Sequence, residues 1–232
     1  MKIFSNQIGH KKFYKYLMNF FSQLDLPSSP LRDDITEELL YTKSLQKSST
    51  IGSTFSTFHR DVKKFLNADL LDRLESINLS PAYFTHFGVM DLPKNQPYQT
   101  FLHSDLIVND GQWTLIPCGI NWELTPGTTD FRWIDPLELK EIYPPPPPEY
   151  RGAALSGVHY GERFNRDISN CVELARLNLE RNTPYLLKTD IPHSVTSTCE
   201  LDTRISISLR FAIKDVPSWE RALELFEPLL IN

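Results

Sequence analysis

The chain has 232 residues, 41% of them hydrophobic and 23% charged, which is enough apolar material for one domain with a buried core. Its formal net charge is −5 and no basic block stands out, so nucleic acid and anionic membranes are poor candidates for a partner. The first eight residues lack the charged start and apolar run of a signal peptide. We therefore expect a cytoplasmic protein that binds neither nucleic acid nor membrane, and the sequence carries no signal for an oligomeric state.

The first eighty residues are predicted to be mostly helical. Apolar residues recur at three- and four-residue steps, the spacing of one helix face, in several segments. These segments are His10–Leu24, Asp34–Leu40 and Asp61–Ile77. Pro27 and Pro30 are expected to end the first helix, and the Ser- and Thr-rich segment Ser44–Ser56 is expected to form a loop. We predict a helical cap over residues 1–80 that belongs to the same domain as the rest of the chain.

From Pro81 onward the pattern indicates strands. Short runs of aromatic and β-branched residues are separated by Pro, Gly, Asn and Asp. The predicted strands are Tyr83–Met90, Gln99–Val108, Trp113–Trp122, Thr128–Ile134, Val172–Leu179, Pro184–Thr189 and Thr203–Ala212. The Asp-Gly pair within Asn109–Gln112 predicts a hairpin. Helices followed by many strands favour a β-sandwich or barrel with a helical layer outside it, over residues 81–214.

Two further segments complete the predicted organisation. Residues 137–170, which include five consecutive prolines at Pro144–Pro148, show little strand pattern. A proline run is stiff and cannot join the middle of a sheet, so Pro144–Pro148 is expected to form a rigid loop. Long connections are often functional, so the insert as a whole is expected to be part of a lid or rim over the entrance to the barrel. A helix over Ser218–Phe226 is predicted within the C-terminal segment 215–232.

A pair of possible metal ligands lies in the motif TFLHSDL. His103 and Asp105 are two residues apart, and residues i and i+2 of a strand project from the same face. One imidazole and one carboxylate so placed can share a metal ion. The pair alone is weak evidence, because this spacing is frequent by chance.

A second segment strengthens the argument. His193 follows an apolar strand, and a loop of about ten residues is then expected to lead into a strand of strict alternation. Its apolar face comprises Ile205, Ile207, Leu209 and Phe211, and its polar face comprises Arg204, Ser206, Ser208 and Arg210. The polar face is either exposed to solvent or forms the interior of a barrel. In the second case Arg204 and Ser206 would point at one small molecule, and a guanidinium with a neighbouring hydroxyl suits a carboxylate.

The order HxD, a long gap, His, about eleven residues and then Arg-x-Ser resembles the Fe(II)/2-oxoglutarate-dependent oxygenase superfamily. The likeness extends over residues 80–211, and it is strongest to small oxygenase-like proteins of bacteria and phages. In those proteins an HxD strand precedes a strand containing Leu-Asn, and the core ends on a segment similar to PHSV…RISISLRF. The resemblance implies a mainly β protein with some α structure, a double-stranded β-helix of the jelly-roll or cupin-like type, packed against N-terminal helices.

The resemblance also implies functional roles. His103, Asp105 and His193 would be the catalytic residues and bind Fe(II), which leaves three positions on the metal open. Arg204, helped by Ser206, would bind the distal carboxylate of 2-oxoglutarate, and Asn121 would line the same pocket. Arg210 competes with Arg204, but it lies six residues further along the strand, roughly 20 Å away. With O2, such an enzyme converts 2-oxoglutarate to succinate and CO2 while it oxidises a small-molecule or amino-acid-like substrate. Related halogenases have Gly or Ala in place of the carboxylate, so Asp105 indicates hydroxylation or another oxidation without halogenation.

Two alternatives stay open at this point. The first is a cupin-like metal-binding protein, acting as an isomerase, a hydrolase or a sensor without 2-oxoglutarate. Cupins commonly contribute more histidines and need no buried Arg-x-Ser, so Arg204 discriminates between these possibilities. The second is an inactive interaction module that docks a partner through Pro144–Pro148.

Overall fold

The computed structural model describes residues 20–35, 54–59, 62–89, 97–109, 111–144, 155–161, 168–200 and 204–231. Three predicted segments lie mostly outside these ranges, namely the helix His10–Leu24, the helix Asp34–Leu40 and the proline run Pro144–Pro148. Across the described part of the chain, no helix combines the length and hydropathy that a membrane crossing requires.

Strands dominate the described residues. They are β1 Phe21–Gln23, β2 Thr54–His59, β3 Pro81–Val89, β4 Tyr98–Gln99, β5 His103–Asn109, β6 Gln112–Leu115, β7 Cys118–Glu123, β8 Gly127–Asp135, β9 Glu141–Ile142, β10 Leu155–Tyr160, β11 Val172–Leu179, β12 Tyr185–Lys188, β13 His193–Cys199 and β14 Arg204–Phe211. The α-helices are α1 Ala68–Ser76 and α2 Trp219–Phe226, with short 3₁₀ turns at Val62–Lys64 and Glu227–Leu229.

The strands form two antiparallel sheets. One has the order β1-β12-β7-β14-β3-β2, and the other has the order β11-β8-β13-β5-β10-β9, with β4 beside β13 and β6 beside β5. Eight of them (β3, β5, β7, β8, β11, β12, β13 and β14) form the core. Renumbered one to eight along the chain, they give 6-3-8-1 in the first sheet and 5-4-7-2 in the second. The chain thus passes back and forth between the sheets in two nested Greek keys, which is a jelly roll, or double-stranded β-helix.

The helices cover the outer face of the first sheet. Leu70 and Leu74 of α1 and Phe226 of α2 are buried in one cluster with Ile207 and Leu209 of β14. The apolar residues of β14 therefore face the helices, and its polar residues face the space between the sheets. The sequence prediction of a polar barrel interior at Arg204, Ser206, Ser208 and Arg210 is confirmed.

Local sequence signals explain several boundaries. Asn67 caps α1 by accepting a hydrogen bond from the backbone N–H of Leu70 at 2.7 Å, and Ser218 caps α2 in the same way. The β5–β6 hairpin closes where predicted, with Asn109 opposite Gln112 and Gly111 at a φ of 76°. A left-handed backbone at that position favours glycine, because a Cβ would be strained there.

Several boundaries in the first half differ from the predictions. Phe21–Gln23, predicted as the end of a helix, is a strand that pairs with β12. The predicted loop Ser44–Ser56 ends inside β2, which extends the first sheet beside β3. The predicted helix Asp61–Ile77 is shorter, since α1 starts at Ala68. Tertiary pairing overrides the helical spacing in the first case and the loop-like composition in the second, because an edge strand can satisfy the sheet's open hydrogen bonds.

The predicted insert contributes to the second sheet. Leu155–Tyr160 (β10) pairs with β5, the strand that carries His103 and Asp105. Glu141–Ile142 (β9) pairs with the other edge of β10. This part of residues 137–170 is therefore a piece of the barrel wall on the side of the candidate metal ligands. Residues 145–154 and 162–167 lie outside the described residues.

Candidate metal centre

The barrel brings the three predicted metal ligands together. His103 begins β5, His193 begins β13, and the two residues are direct partners across these neighbouring strands. The Nε2 atom of His103 lies 3.5 Å from Oδ1 of Asp105, and that of His193 lies 3.6 Å from the same oxygen. One ligand atom from each residue lies within 4.8 Å of the others, so the group could hold a metal ion.

Backbone hydrogen bonds orient both imidazoles. Nδ1 of His103 is 2.7 Å from the carbonyl oxygen of Phe101, and Nδ1 of His193 is 2.9 Å from that of Ile191. A carbonyl oxygen only accepts, so each Nδ1 donates its proton, and Nε2 is the ring nitrogen that faces Asp105. Metal-binding histidines are commonly fixed in this way by the other ring nitrogen.

The electrostatics of the cluster favour the protonation states that bind metal. Burial raises the pKa of Asp105, but the charge of Arg210, the nearby imidazoles and the hydrogen bond from Arg210 outweigh it, and the pKa lies below its usual value. Burial and the neighbouring His103 lower the pKa of His193 to about 4, despite the opposing charge of Asp105. An ionised carboxylate beside a neutral imidazole is the state that a divalent metal ion requires.

A cavity of about 550 Å³ opens in front of this cluster, between the two sheets. The predicted cosubstrate residues Arg204, Ser206 and Asn121 line it together with the three candidate ligands. Asn121 of β7 accepts a hydrogen bond of 2.6 Å from the hydroxyl of Ser208, which fixes its side-chain oxygen. The volume is within the range of small-molecule sites.

Arg204 is not a free cation in this cavity. Its Nη2 atom donates to Oε2 of Glu123 at 2.7 Å, and both side chains are almost completely buried. Oε1 of Glu123 accepts a further hydrogen bond from the hydroxyl of Thr125 at 2.9 Å. The Nε atom of Arg204 is buried and has no acceptor among the described residues. The buried Nε–H donor of Arg204 is therefore unused within the described part of the chain, while the charge of the guanidinium is shared with a carboxylate.

Arg210, the competing arginine, is bound to the candidate metal ligand. Its Nη2 atom donates to Oδ2 of Asp105 at 2.6 Å, and its Nη1 atom donates to the hydroxyl of Thr189 at 3.1 Å. The two arginines of β14 thus pair with different carboxylates of the barrel. The assignment of Arg204, rather than Arg210, to 2-oxoglutarate stays a prediction.

Sequence reasoning missed three residues at the site. Glu123 ends β7, one residue beyond the predicted strand Trp113–Trp122, and an acidic residue at the end of a mostly apolar strand was an available signal. Gly157 and His159 lie on β10 opposite Asp105 and His103, inside the segment treated as an insert. The aromatic side chains of the cavity were also not separable from the core by pattern. Phe131, for example, stacks on His193 at 4.8 Å.

The fold and the cluster define a class of protein. The chain is a cupin-like jelly-roll barrel whose interior presents two histidines and one aspartate arranged as a possible metal centre. Two nitrogen donors and one oxygen donor, with the remaining directions facing a cavity, fit a divalent transition metal.

No known protein family and no curated protein matches the sequence. Among solved structures, the vicilin from Solanum melongena is similar with a TM-score of 0.34 and 9% identity, over 81% of this chain and 43% of the vicilin. The vicilin from Corylus avellana (hazelnut) has a TM-score of 0.30 and 11% identity, over 84% and 48% of the two chains. The chain thus spans less than half the length of these vicilins. TM-scores this low do not support an inference about this chain, so the fold assignment rests on the strand order.

Proposed function

We propose that the protein is a non-haem Fe(II)- and 2-oxoglutarate-dependent dioxygenase that hydroxylates a small-molecule or amino-acid-like substrate. One observation carries the proposal. Two histidines and one aspartate form a cluster on one sheet, and they face a cavity whose other wall, on the opposite sheet, presents Arg204 and Ser206.

The donor set supports Fe(II). Two imidazole nitrogens and one carboxylate oxygen, with the other metal positions open, are typical of non-haem Fe(II) oxygenases. His103, Asp105 and His193 would hold the metal, and bound Fe(II) would supply the activation of O2 that hydroxylation needs. The backbone carbonyls of Phe101 and Ile191 would keep both imidazoles in the ligating tautomer.

The opposite wall supports a dicarboxylate cosubstrate. Arg204 and Ser206 alternate on β14, so their side chains project from the same face of the strand. The buried Nε–H of Arg204 lacks an acceptor among the described residues, and a carboxylate oxygen would satisfy it. In this proposal Arg204 anchors the distal carboxylate, Ser206 adds a hydroxyl, and the keto acid end reaches the metal.

The remaining walls support a substrate with apolar surface. Aromatic side chains of Phe87, Tyr98, Phe101 and Phe131 line the cavity beside the candidate metal ligands. Such walls exclude water and hold an aliphatic or aromatic group against the reacting centre.

A second function is favoured by one specific contact. Because Glu123 already neutralises Arg204, an incoming carboxylate meets an ion pair and not a free guanidinium. A cupin-like metal-binding protein that acts as an isomerase, a hydrolase or a sensor needs no carboxylate anchor. In such a protein the pair between Arg204 and Glu123 would only stabilise the barrel.

Binding of 2-oxoglutarate separates the two functions. Protein loaded anaerobically with Fe(II) should bind 2-oxoglutarate in calorimetry, and it should slowly form succinate when O2 is admitted. Arg204→Met should keep Fe(II) and lose 2-oxoglutarate, whereas the matched control Arg176→Met, on a half-exposed residue of β11, should retain both. No binding of 2-oxoglutarate at millimolar concentration by Fe(II)-loaded protein would reject the dioxygenase and leave the second function.

A further inference from the structure

Three residues behind the candidate metal ligands, Arg210, Thr189 and Gly119, have no role in the proposed binding of metal or cosubstrate. The Asp105 carboxylate has two oxygens in different surroundings. Oδ1 faces the Nε2 atoms of both histidines at 3.5 and 3.6 Å. Oδ2 points away from them and accepts the 2.6 Å hydrogen bond from Arg210. A charge-assisted hydrogen bond of this length is strong, so it restricts rotation of the carboxylate.

Arg210 is itself held from two sides. Its second nitrogen, Nη1, donates to the hydroxyl of Thr189, and that hydroxyl donates onward to the carbonyl oxygen of Ile116 at 2.9 Å. The backbone carbonyl of Thr189 accepts the N–H of Asp105 at 2.9 Å. Thr189 therefore fixes both the backbone that carries the carboxylate and the guanidinium that binds it.

Gly119 leaves the space that the guanidinium occupies. Leu209 pairs with Ile120 across β14 and β7, so Arg210 lies beside Gly119 in the next position of the register. A Cβ added at Gly119 would lie 2.6 Å from Cζ of Arg210 and 2.9 Å from its Cδ, closer than atoms can approach. Any other residue at 119 would force the Arg210 side chain to leave its position.

We infer that Arg210 is a positioning residue that turns the Asp105 carboxylate so that a single oxygen, Oδ1, faces the metal position. A free aspartate can bind a metal ion through one oxygen or through both. The hydrogen bond to Oδ2 selects binding through one oxygen, and this keeps three positions of a six-coordinate metal open for other ligands. The inference rests on the metal centre of the proposed function and not on its 2-oxoglutarate chemistry.

The arrangement also sets the charge that an exogenous ligand meets. A divalent ion with one carboxylate and two neutral imidazoles has a net charge of +1. The positive charge of the Arg210 guanidinium, which lies behind that carboxylate, raises the total to +2. Arg210 therefore makes the open side of the metal more attractive to an anionic ligand, whichever anion the protein uses.

Bound Mn(II) provides a probe that requires no substrate. Water-proton relaxation reports how many exchangeable waters the ion keeps, and wild-type protein should give the value for about three. Arg210→Met frees Oδ2 to join the metal, so the relaxation per bound Mn(II) should fall by about one third. Arg210→Lys should lie between the two, since an ammonium can bind Oδ2 or Thr189 but lacks the fork that binds both.

A second variant avoids loss of the buried cation. Gly119→Ala retains every polar group, and the three nearest atoms that its Cβ would meet all belong to the flexible Arg210 side chain, so the variant should fold and show the same fall in relaxation as Arg210→Met. The matched control Arg176→Met, on the other sheet, should behave as wild type. If Gly119→Ala and every Arg210 variant that folds keep the wild-type relaxation, the positioning role is overturned while the metal centre stands. Wild-type protein that binds no Mn(II), Fe(II) or Co(II) would overturn both.

Discussion

Glu123→Gln tests whether Arg204 is a carboxylate anchor or a structural cation. In the wild-type barrel Oε2 of Glu123 lies 2.7 Å from Nη2 of Arg204, and both side chains are buried. The substitution removes the negative charge and keeps the size of the side chain. Its amide can turn so that the oxygen still accepts from Arg204, while its NH2 group donates to the hydroxyl of Thr125.

The magnitude follows from the charges. A 2-oxoglutarate carboxylate on the same guanidinium would lie about 5 Å from the Glu123 carboxylate, which at an effective dielectric constant of about 20 gives a repulsion of about 3 kcal/mol. Removing that repulsion should tighten 2-oxoglutarate binding by roughly a hundredfold. The ligand-free protein should lose stability, by about 3–5 kcal/mol, because the buried guanidinium loses its counter-charge.

Glu123→Gln should thus raise the affinity for 2-oxoglutarate and lower the stability of the ligand-free protein. A variant that is merely damaged would lose both, so the assay distinguishes the two cases. Calorimetry with Mn(II)-loaded protein gives the affinity, and thermal unfolding with and without 2-oxoglutarate gives the stability. Glu173→Gln is the matched control, because it removes a carboxylate that pairs with Arg132 at 2.6 Å on the outer side of β11. If Glu123→Gln loses stability and its affinity for 2-oxoglutarate does not rise, Arg204 is structural and the reasoning is refuted.

Three further predictions concern the site and its surroundings. The candidate metal ligands are His103, Asp105 and His193. Alanine at any one of them should abolish Fe(II) binding in calorimetry while the circular dichroism spectrum stays native. Stoichiometric Fe(II) binding by such a variant would show that the replaced residue is not a ligand. Burial raises the pKa of Cys118 to about 12, so native protein at pH 8 should resist iodoacetamide at this thiol until denaturant is added, as peptide mass spectrometry would show. Gly157→Ala should weaken Mn(II) binding by about tenfold in calorimetry, because the new Cβ would lie 3.2 Å from Cβ of His103 and displace that candidate ligand. An unchanged affinity would mean that the imidazole of His103 keeps its ligating position despite the added methyl group.

Period-two patterns made the centre of the fold predictable. The strict alternation of β14 predicts which residues share a face, and the structure has Arg204 and Arg210 in the barrel interior and Ile207 in the core on the other side. The HxD spacing places His103 and Asp105 on one face of β5, as the cluster shows. A two-residue repeat fixes the face of a side chain without knowledge of its partner strand, so these predictions did not require the topology.

Contacts between distant strands could not be predicted in the same way. The pairing of Arg204 with Glu123 depends on β14 lying beside β7, and nothing in either strand specifies that neighbour. The strand at Phe21–Gln23 has helical spacing, and it becomes extended because it pairs with the edge of β12. Leu155–Tyr160 has little alternation, since a strand beside His103 must also accommodate the ring, and Gly157 meets that need.

The two arginines of β14 lie at opposite ends of one strand and pair with carboxylates at two different places in the barrel interior. They share a face, and each is bound to a carboxylate from a different strand, Arg210 to Asp105 and Arg204 to Glu123. A bound metal ion would take the free oxygen of Asp105 and leave the Arg210 contact in place, so that pair is compatible with a loaded centre. The pair of Arg204 with Glu123 is different, because a carboxylate ligand must share or replace the glutamate. The chemistry of this barrel therefore depends on which anion Arg204 binds when the metal is present.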